Sequence, residues 1–534
     1  MQATLISRSP HLDSQGQSTT QDYTLDVVLP GKGRREIQAV ATVPASEWSS
    51  NSVNGHAHAG VAQSADVESS SAHYRPHSLP SSFSPLGSNS PHEFATFVQG
   101  REAWLANPEF RDGVEESLRV FAEKSDETEG FLINTTVTDG FSGLTPLFLE
   151  LLRDEFGGGG GKGQIWVTGM VEDERGWDRP ASDRSLSHLL LSPALALPSL
   201  MDLSSLVLPV QPLYTFSPTD PRETGWTKYF RKDLDEHERL NAMGVVREMA
   251  LGGVGEELRV PGSLSSLISQ LTWRGSNANI AHLSGAAPMP PAEHFGDGKA
   301  GMARLKASWK DFSVLRPEEM GKERVRPRPR PATPYAQSSV LRGMSFEETQ
   351  ALGPLLEESA GPLREPLSRW VTADAPYPLL PSTPSVFSGL LPNGRPLTLP
   401  TPTLTDPHTS GGLFGLPDPS FPPASSYTVQ PNSIPILTTV STTPDVRYWI
   451  RHLRDGLKEM KRVRNSVVRE VEGGEFGVGF GGVEEVREGL EGVVDAFGGE
   501  DDEDNGDGQG GKDEDEDWSA TEPKEEFDDF EFDT

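Results

Sequence analysis

The stretch from Gly130 to Glu155 constrains the fold more than any other part of the chain. Gly130-Phe-Leu-Ile-Asn-Thr-Thr-Val137 is a short apolar, β-branched run of the kind found in strands buried on both faces. A small-residue loop, Thr138-Asp-Gly-Phe-Ser-Gly143, follows it. Then Leu144, Leu147, Phe148, Leu151 and Leu152 recur at helical spacing and lay one apolar stripe along a helix. Ser142 or Thr145 is placed to cap this helix, and Pro146 suits its first position. Upstream, Val114, Leu118, Phe121 and Ala122 mark a helix over Gly113–Asp126. Downstream, glycines end the central helix, and Gln164–Thr168 reads as the next strand. Helix, strand, loop, helix, strand is the order of a parallel α/β sheet with right-handed crossovers.

The rest of the 534 residues divides by composition. Only 35% are hydrophobic, and the 54 Gly and 45 Pro make up nearly a fifth of the chain, which implies a modest core between long flexible segments. Residues 1–91 are polar and expected to be mostly flexible, with one strand at Tyr23–Leu29. An α/β domain spans 92–290. Within it Ser182–Leu191 reads as a short helix and Ser204–Val210 as a strand. Asp233–Leu251 and Gly262–Leu271 carry helical periodicity. Residues 291–430 form a Pro/Ser-rich insertion, expected to be mostly disordered with short ordered pieces, because each Pro removes a backbone donor. The tract Arg324-Val-Arg-Pro-Arg-Pro-Arg330 inside it reads as a linker. Over 431–498 a strand at Ser433–Val440 and helices pack on the core. Thr443-Pro444 opens a long helix with Val446, Trp449, Ile450, Leu453, Leu457 and Met460 on one face, and Val483–Phe497 forms a shorter one. Residues 499–534 are a disordered acidic tail.

Charge and residue usage exclude several chemistries. The formal net charge is −32, and the tail from Glu500 holds 18 acidic and 2 basic residues. Binding phosphates needs Lys and Arg, so neither nucleic acid nor an anionic membrane is expected as a direct partner. With no cysteine there is no disulfide, thiolate metal site or Cys nucleophile. The ligand-like pairs His56/His58 and His73/His77 lie in Ser/Ala/Pro-rich sequence and read as solvated loop residues, so no metal is expected. No apolar run is long enough for a transmembrane helix.

Two glycine-bearing loops could hold phosphate. The run Gly157–Gly163, with Lys162, fails as a P-loop, since it follows a helix and precedes a strand, with Phe156 and Gly163 at the wrong positions of the pattern. The loop Asp139–Gly143 has the correct order. It leaves a strand and enters a helix whose free N–H groups and positive dipole end suit an anion. Gly140, Ser142 and Gly143 are therefore the candidate phosphate-loop residues. Asp139 and Phe141 oppose that role by charge and bulk.

Read together, Ser117–Asp126, Gly130–Ile133, Asp139-Gly-Phe-Ser-Gly-Leu-Thr-Pro146 and Leu151–Phe156 resemble the centre of the tubulin nucleotide domain. The match is best with the Misato family of tubulin-like proteins, whose last shared block resembles Ile434–Leu453 here. The resemblance implies a degenerate tubulin-like α/β domain with a parallel sheet. It also implies a role in partitioning mitochondria and mitochondrial DNA, at the outer or cytoplasmic face of the organelle, through cytoskeletal or chaperonin-type protein partners. Tubulins bind phosphate with a GGGTGSG loop; here its glycines are reduced and an acid is added, so Gly140, Ser142 and Gly143 form a vestigial loop. The polar opening of the chain has no counterpart of the first tubulin strand. Leu258–Ile268, which resembles the segment with tubulin's hydrolysis acid, holds Ser and Leu at the candidate positions. The reading is thus a non-catalytic protein with no cofactor. A GTP-binding tubulin-like GTPase and an acidic scaffold or chaperone-type adaptor are the alternatives.

Overall fold

The computed structural model describes residues 1–12, 18–28, 74–78, 94–125, 128–156, 163–171, 183–210, 264–275, 278–295, 301, 305, 310–311, 313, 333–360, 367–373, 375–378, 390, 394–395, 433–462, 466–473, 475 and 482–497. In chain order the elements are β1 (Gln2–Leu12), β2 (Ser18–Val28), β3 (Tyr74–Ser78), α1 (Phe97–Leu105), α2 (Pro108–Lys124), β4 (Thr128–Thr136), α3 (Phe141–Phe156), β5 (Gln164–Met170), α4 (Asp183–Leu203) and β6 (Leu206–Val210). Then come α5 (Leu264–Leu271), β7 (His282–Ala286), β8 (Lys310–Asp311), β9 (Ala336–Arg342), α6 (Phe346–Ala360), β10 (Ser368–Ala373), β11 (Tyr377–Pro378), β12 (Ser433–Ile434), β13 (Ile436–Thr442), α7 (Arg447–Arg462), α8 (Ser466–Gly473) and α9 (Gly482–Ala496). Residues 498–534, which include the expected acidic tail, lie outside the described residues. The expected Asp233–Leu251 helix and the 324–330 tract also lie outside them.

The first sheet has the order β3-β2-β1-β4-β5-β6. Its β4, β5 and β6 are parallel, as the element order requires. Both faces of these strands are buried, and successive residues serve opposite sides. Phe131, Ile133, Ile165, Val167 and Val207 join a helical layer that includes α1, α2, α3, α4, α7 and α9. Leu132, Trp166, Leu206 and Leu208 face the other way, into a layer with Leu264, Leu267, Ile268 and Leu271 of α5. The indole of Trp166, 1% exposed, donates to Thr168 Oγ1 at 3.2 Å, so its polar edge is satisfied in this apolar layer.

The second sheet, β10-β9-β13-β7-β8, is mixed: β9 and β10 are parallel, and β13 runs antiparallel to β9 and β7. The sheets meet at β6, where the Val207 N–H donates to Asn279 O and the Ala281 N–H to Val207 O. The Asn279 amide also donates to Met201 O and Ser204 O, tying this junction to the end of α4.

At the C-terminal end, Val446, Trp449, Ile450, Leu453, Leu457 and Met460 are all buried, as their spacing predicts. Val446 ends the turn that leads into α7, and the face of α7 that carries the other five packs on α4 and α9. Outside this seam, Arg454 Nη1 donates to both carboxylate oxygens of Glu491 at 2.8 Å, and Lys461 meets Glu484 at 2.8 Å. These links clip α7 to α9.

Several expectations need correction. The opening segment, expected to hold one strand, supplies β1 and β2 as well as β3; the expected Tyr23–Leu29 strand overlaps β2. Residues 2–7 of β1 pair with both β2 and β4, antiparallel to each. Backbone ladders need no apolar side chains, so a polar sequence conceals them. The helix expected over Ser182–Leu191 continues to Leu203 through Pro193 and Pro198. Leu191, Ala194, Leu195, Ala196, Leu197 and Leu200 are buried along it, and tertiary packing outweighs the donors that two prolines remove. Within the insertion, the short ordered pieces that were expected are β9, α6 and β10, and every residue of β9 is buried. Its Gln-Ser-Ser core lacks an apolar pattern, and its hydroxyls and amides are paired inside the sheet instead, Ser339 with Thr439 and Gln337 with Ser368.

Helix α6 starts in a reciprocal cap. The Ser345 N–H donates to Glu348, and the Glu348 N–H donates to Ser345 Oγ. Arg395 meets the same carboxylate at 2.8 Å. Burial pushes the Glu348 carboxyl up, but the Ser345 N–H, Arg395 and a backbone bond from Ala292 outweigh it and hold the group below its ordinary value. A depressed folded value stabilises the fold at neutral pH and loses that contribution as the pH falls below about 4.3 towards the folded value. Wild type should therefore unfold at a higher temperature than Glu348→Gln at neutral pH, and the gap should shrink as the solution is made more acid through that window. A gap that stays constant or widens in acid would contradict the assignment.

Candidate functional site

The predicted phosphate loop lies where the α/β order places it, between the carboxyl end of β4 and the start of α3. Gly140, Ser142 and Gly143 are all buried and adjacent, on the turn and first turn of α3. The cap, however, is neither Ser142 nor Thr145. Helix α3 begins at Phe141, and the Phe141 N–H donates to Asp139 Oδ1 at 2.9 Å. An Asp two residues before the first helical N–H is a common turn and cap arrangement, and its carboxylate suits the positive end of the helix. Ser142 lies within the first turn and donates through Oγ to Asp139 O. Thr145 is further in and shares a 2.7 Å hydrogen bond with Thr135 of β4.

The remaining donors are also taken by the chain. The Gly140 N–H donates to Phe94 O at 3.0 Å, Ser142 N–H to Asp139 O at 3.1 Å, and the Gly143 and Leu144 N–H groups to Gly140 O at 3.1 and 3.3 Å. Each N–H from Gly140 to Leu144 thus has a protein acceptor. These are the groups a bound phosphate would need.

The glycines serve packing instead, by letting helix α1 come within backbone contact of α3. A Cβ on Gly143 would lie 1.9 Å from Phe97 O, and one on Gly100 would lie 1.7 Å from Gly140 O. A Cβ on Gly140 would strike the Phe94 ring at 2.6 Å. That ring also stands edge-on to Phe141, with centroids 5.0 Å apart. Phe94 is held just ahead of a capping box: the Ala95 and Thr96 N–H groups donate to Gln99 Oε1, and the Gln99 N–H to Thr96 Oγ1. Sequence reasoning missed α1 and Phe94. The Thr96-x-x-Gln99 pattern was the available signal.

A nucleotide phosphate, which the resemblance to tubulins implies at this turn, does not fit it. Its hydrogen-bond donors are used and its glycine space is filled. The Asp139 carboxylate would also stand beside the anion, a repulsion of about 4 kcal/mol per pair of unit charges at 4 Å and an effective dielectric constant of 20.

Among the described residues, Arg153 and Arg101 near α3 are engaged elsewhere. Arg153 donates to Leu203 O at 2.7 Å and Gly163 O at 3.2 Å, stitching the far end of α3 to the approaches of β6 and β5. Burial lowers its guanidinium from the ordinary value and Asp202 opposes that shift. Burial likewise lowers Arg101 on α1, against the pull of Glu150 on α3. The segment resembling tubulin's acid-bearing stretch ends in α5, Leu264-Ser-Ser-Leu-Ile-Ser-Gln-Leu271, which contains no carboxylate. Its leucines and isoleucine fill the layer between the sheets. Of the four histidines in ligand-like pairs, His77 lies in β3 and the other three fall outside the described residues.

The glycine contact sets a clear contrast. Gly143→Ala should lower the unfolding temperature by several degrees, because backbone must move. Gly492→Ala, in α9 with nothing within 4 Å of its Cβ position, should be neutral or stabilising by up to about 1 kcal/mol. Thermal unfolding of both variants reads this out, and equal midpoints would contradict the close crossing.

Residues 67–229 match the family described as tubulin domain. Over 114 residues the chain is 34% identical to protein misato homolog 1 of Homo sapiens, covering 21% of this chain and 19% of that protein. The same identity and coverage hold for protein misato homolog 1 of Macaca fascicularis. Over 77 residues it is 34% identical to protein DML1 of Gibberella zeae, covering 14% of this chain and 15% of that one. The aligned part thus spans less than a fifth of the length of these curated relatives.

Proposed function

We propose that this chain is a tubulin-like protein of the Misato family and acts without catalysis in partitioning mitochondria and mitochondrial DNA. The observation that carries the reading is the family match, a tubulin domain over 67–229 with misato homologs and a fungal relative aligning to the chain. Fold alone would not license it, because one fold serves many functions. A non-catalytic role draws support from the site. Phosphoryl transfer and hydrolysis depend on positioned phosphates and a group that orients the attacking water. Here the turn donates to its own chain, and α5 has no carboxylate.

The protein would then work by binding other proteins, of cytoskeletal or chaperonin type, peripherally at the cytoplasmic face of mitochondria. Depletion in the cells that make it is the direct test. The expected result is uneven or fragmented mitochondria and loss of mitochondrial DNA over successive divisions, rescued by re-expression. Normal mitochondrial morphology with full DNA retention after depletion would sink the proposal.

A further inference from the structure

We infer that the strand-to-helix turn of this domain is liganded by its own chain, with the Asp139 carboxylate and the Phe94 carbonyl taking the donors that a nucleotide phosphate would use, so that the fold stands without nucleotide. A helix start leaves N–H groups that must find acceptors. In an anion-binding turn the acceptor arrives with the ligand. Here Asp139 Oδ1 takes the Phe141 N–H, Phe94 O takes the Gly140 N–H, and the Asp139 and Gly140 carbonyls take the next three.

The closure has three further supports. Asp139 supplies negative charge at the positive end of α3, which is the electrostatic service a phosphate would perform. Phe94 fills the space over Gly140 and packs on Phe141, which is 7% exposed. Gly143 and Gly100 are committed to backbone contacts between α1 and α3, so the glycines that resemble a phosphate cradle are explained by helix crossing. The α1 segment that supplies Phe94 is itself fixed by the Thr96–Gln99 capping box, and Trp104 at its other end stands edge-on to Phe148 of α3 at 6.1 Å.

Thermal unfolding of the full chain tests this, with inorganic phosphate or magnesium GTP added at ionic strength matched by chloride. Wild type should shift no further than in the chloride control. Asp139→Ala, which removes the acceptor, should unfold roughly 2–8 °C lower. Asp139→Asn keeps an acceptor oxygen, so it should lie within a few degrees of wild type and also ignore both ligands. This variant keeps the test meaningful if Asp139→Ala does not fold. Stabilisation of wild type or Asp139→Asn by phosphate or GTP beyond the chloride control would overturn the inference, and so would an unchanged midpoint for Asp139→Ala. The outcome is independent of the organelle role, since a nucleotide response says nothing of mitochondrial segregation and normal segregation leaves the closed turn intact.

Discussion

The helical side of the first sheet depends on how closely α1 approaches the start of α3. Two helices normally keep their axes roughly 8–10 Å apart because side chains intervene. Here Gly100 and Gly143 put backbone against backbone, and Gly140 receives the Phe94 ring. That approach brings the Phe94 carbonyl to the Gly140 N–H and helps to close the turn. It also seats Phe97, Trp104, Leu144 and Phe148 in one layer with Trp449 and Ile450 of α7. A side chain at either crossing glycine would force these apart together.

Internal pairing of the same kind runs through the junction of the two sheets. Val207 uses both its N–H and its C=O on the Asn279–Ala281 segment, and Asn279 reaches the end of α4. Helix α5 fills the layer behind β4 and β5 and contacts β9. At its end, Thr442 of β13 donates to Leu271 O, and Trp273 donates to Tyr335 O. Tyr335 in turn donates through its hydroxyl to Phe497 O, just past α9. Helix α5 and the residues after it thus help to hold the two sheets together.

Sequence legibility followed the range of the interactions involved. Strands β4, β5, β6 and β13 and helices α2, α3, α5 and α7 were readable because each carries its own apolar run or stripe. Helix α1 was not, since its buried positions Phe97, Gly100, Ala103 and Trp104 include a glycine and an alanine and give a weak stripe. Strand β9 hid behind flanking prolines and a polar core, and α4 behind Pro193 and Pro198, where packing overrides local preference. Gly140, Ser142 and Gly143 lie on a strand-to-helix turn, as the element order predicts, but the packing around them was not legible. What decides it is Phe94 and Phe97, more than forty residues earlier, and no local pattern reports a contact of that range.

Hydrogen exchange of the backbone amides tests the closed turn most directly. The amides from Gly140 to Leu144 should exchange as slowly as those of β5, with or without magnesium GTP, because each is bonded within the chain. Fast exchange at Gly140 and Phe141 that slows when nucleotide is added would contradict the closed turn and restore an open phosphate site.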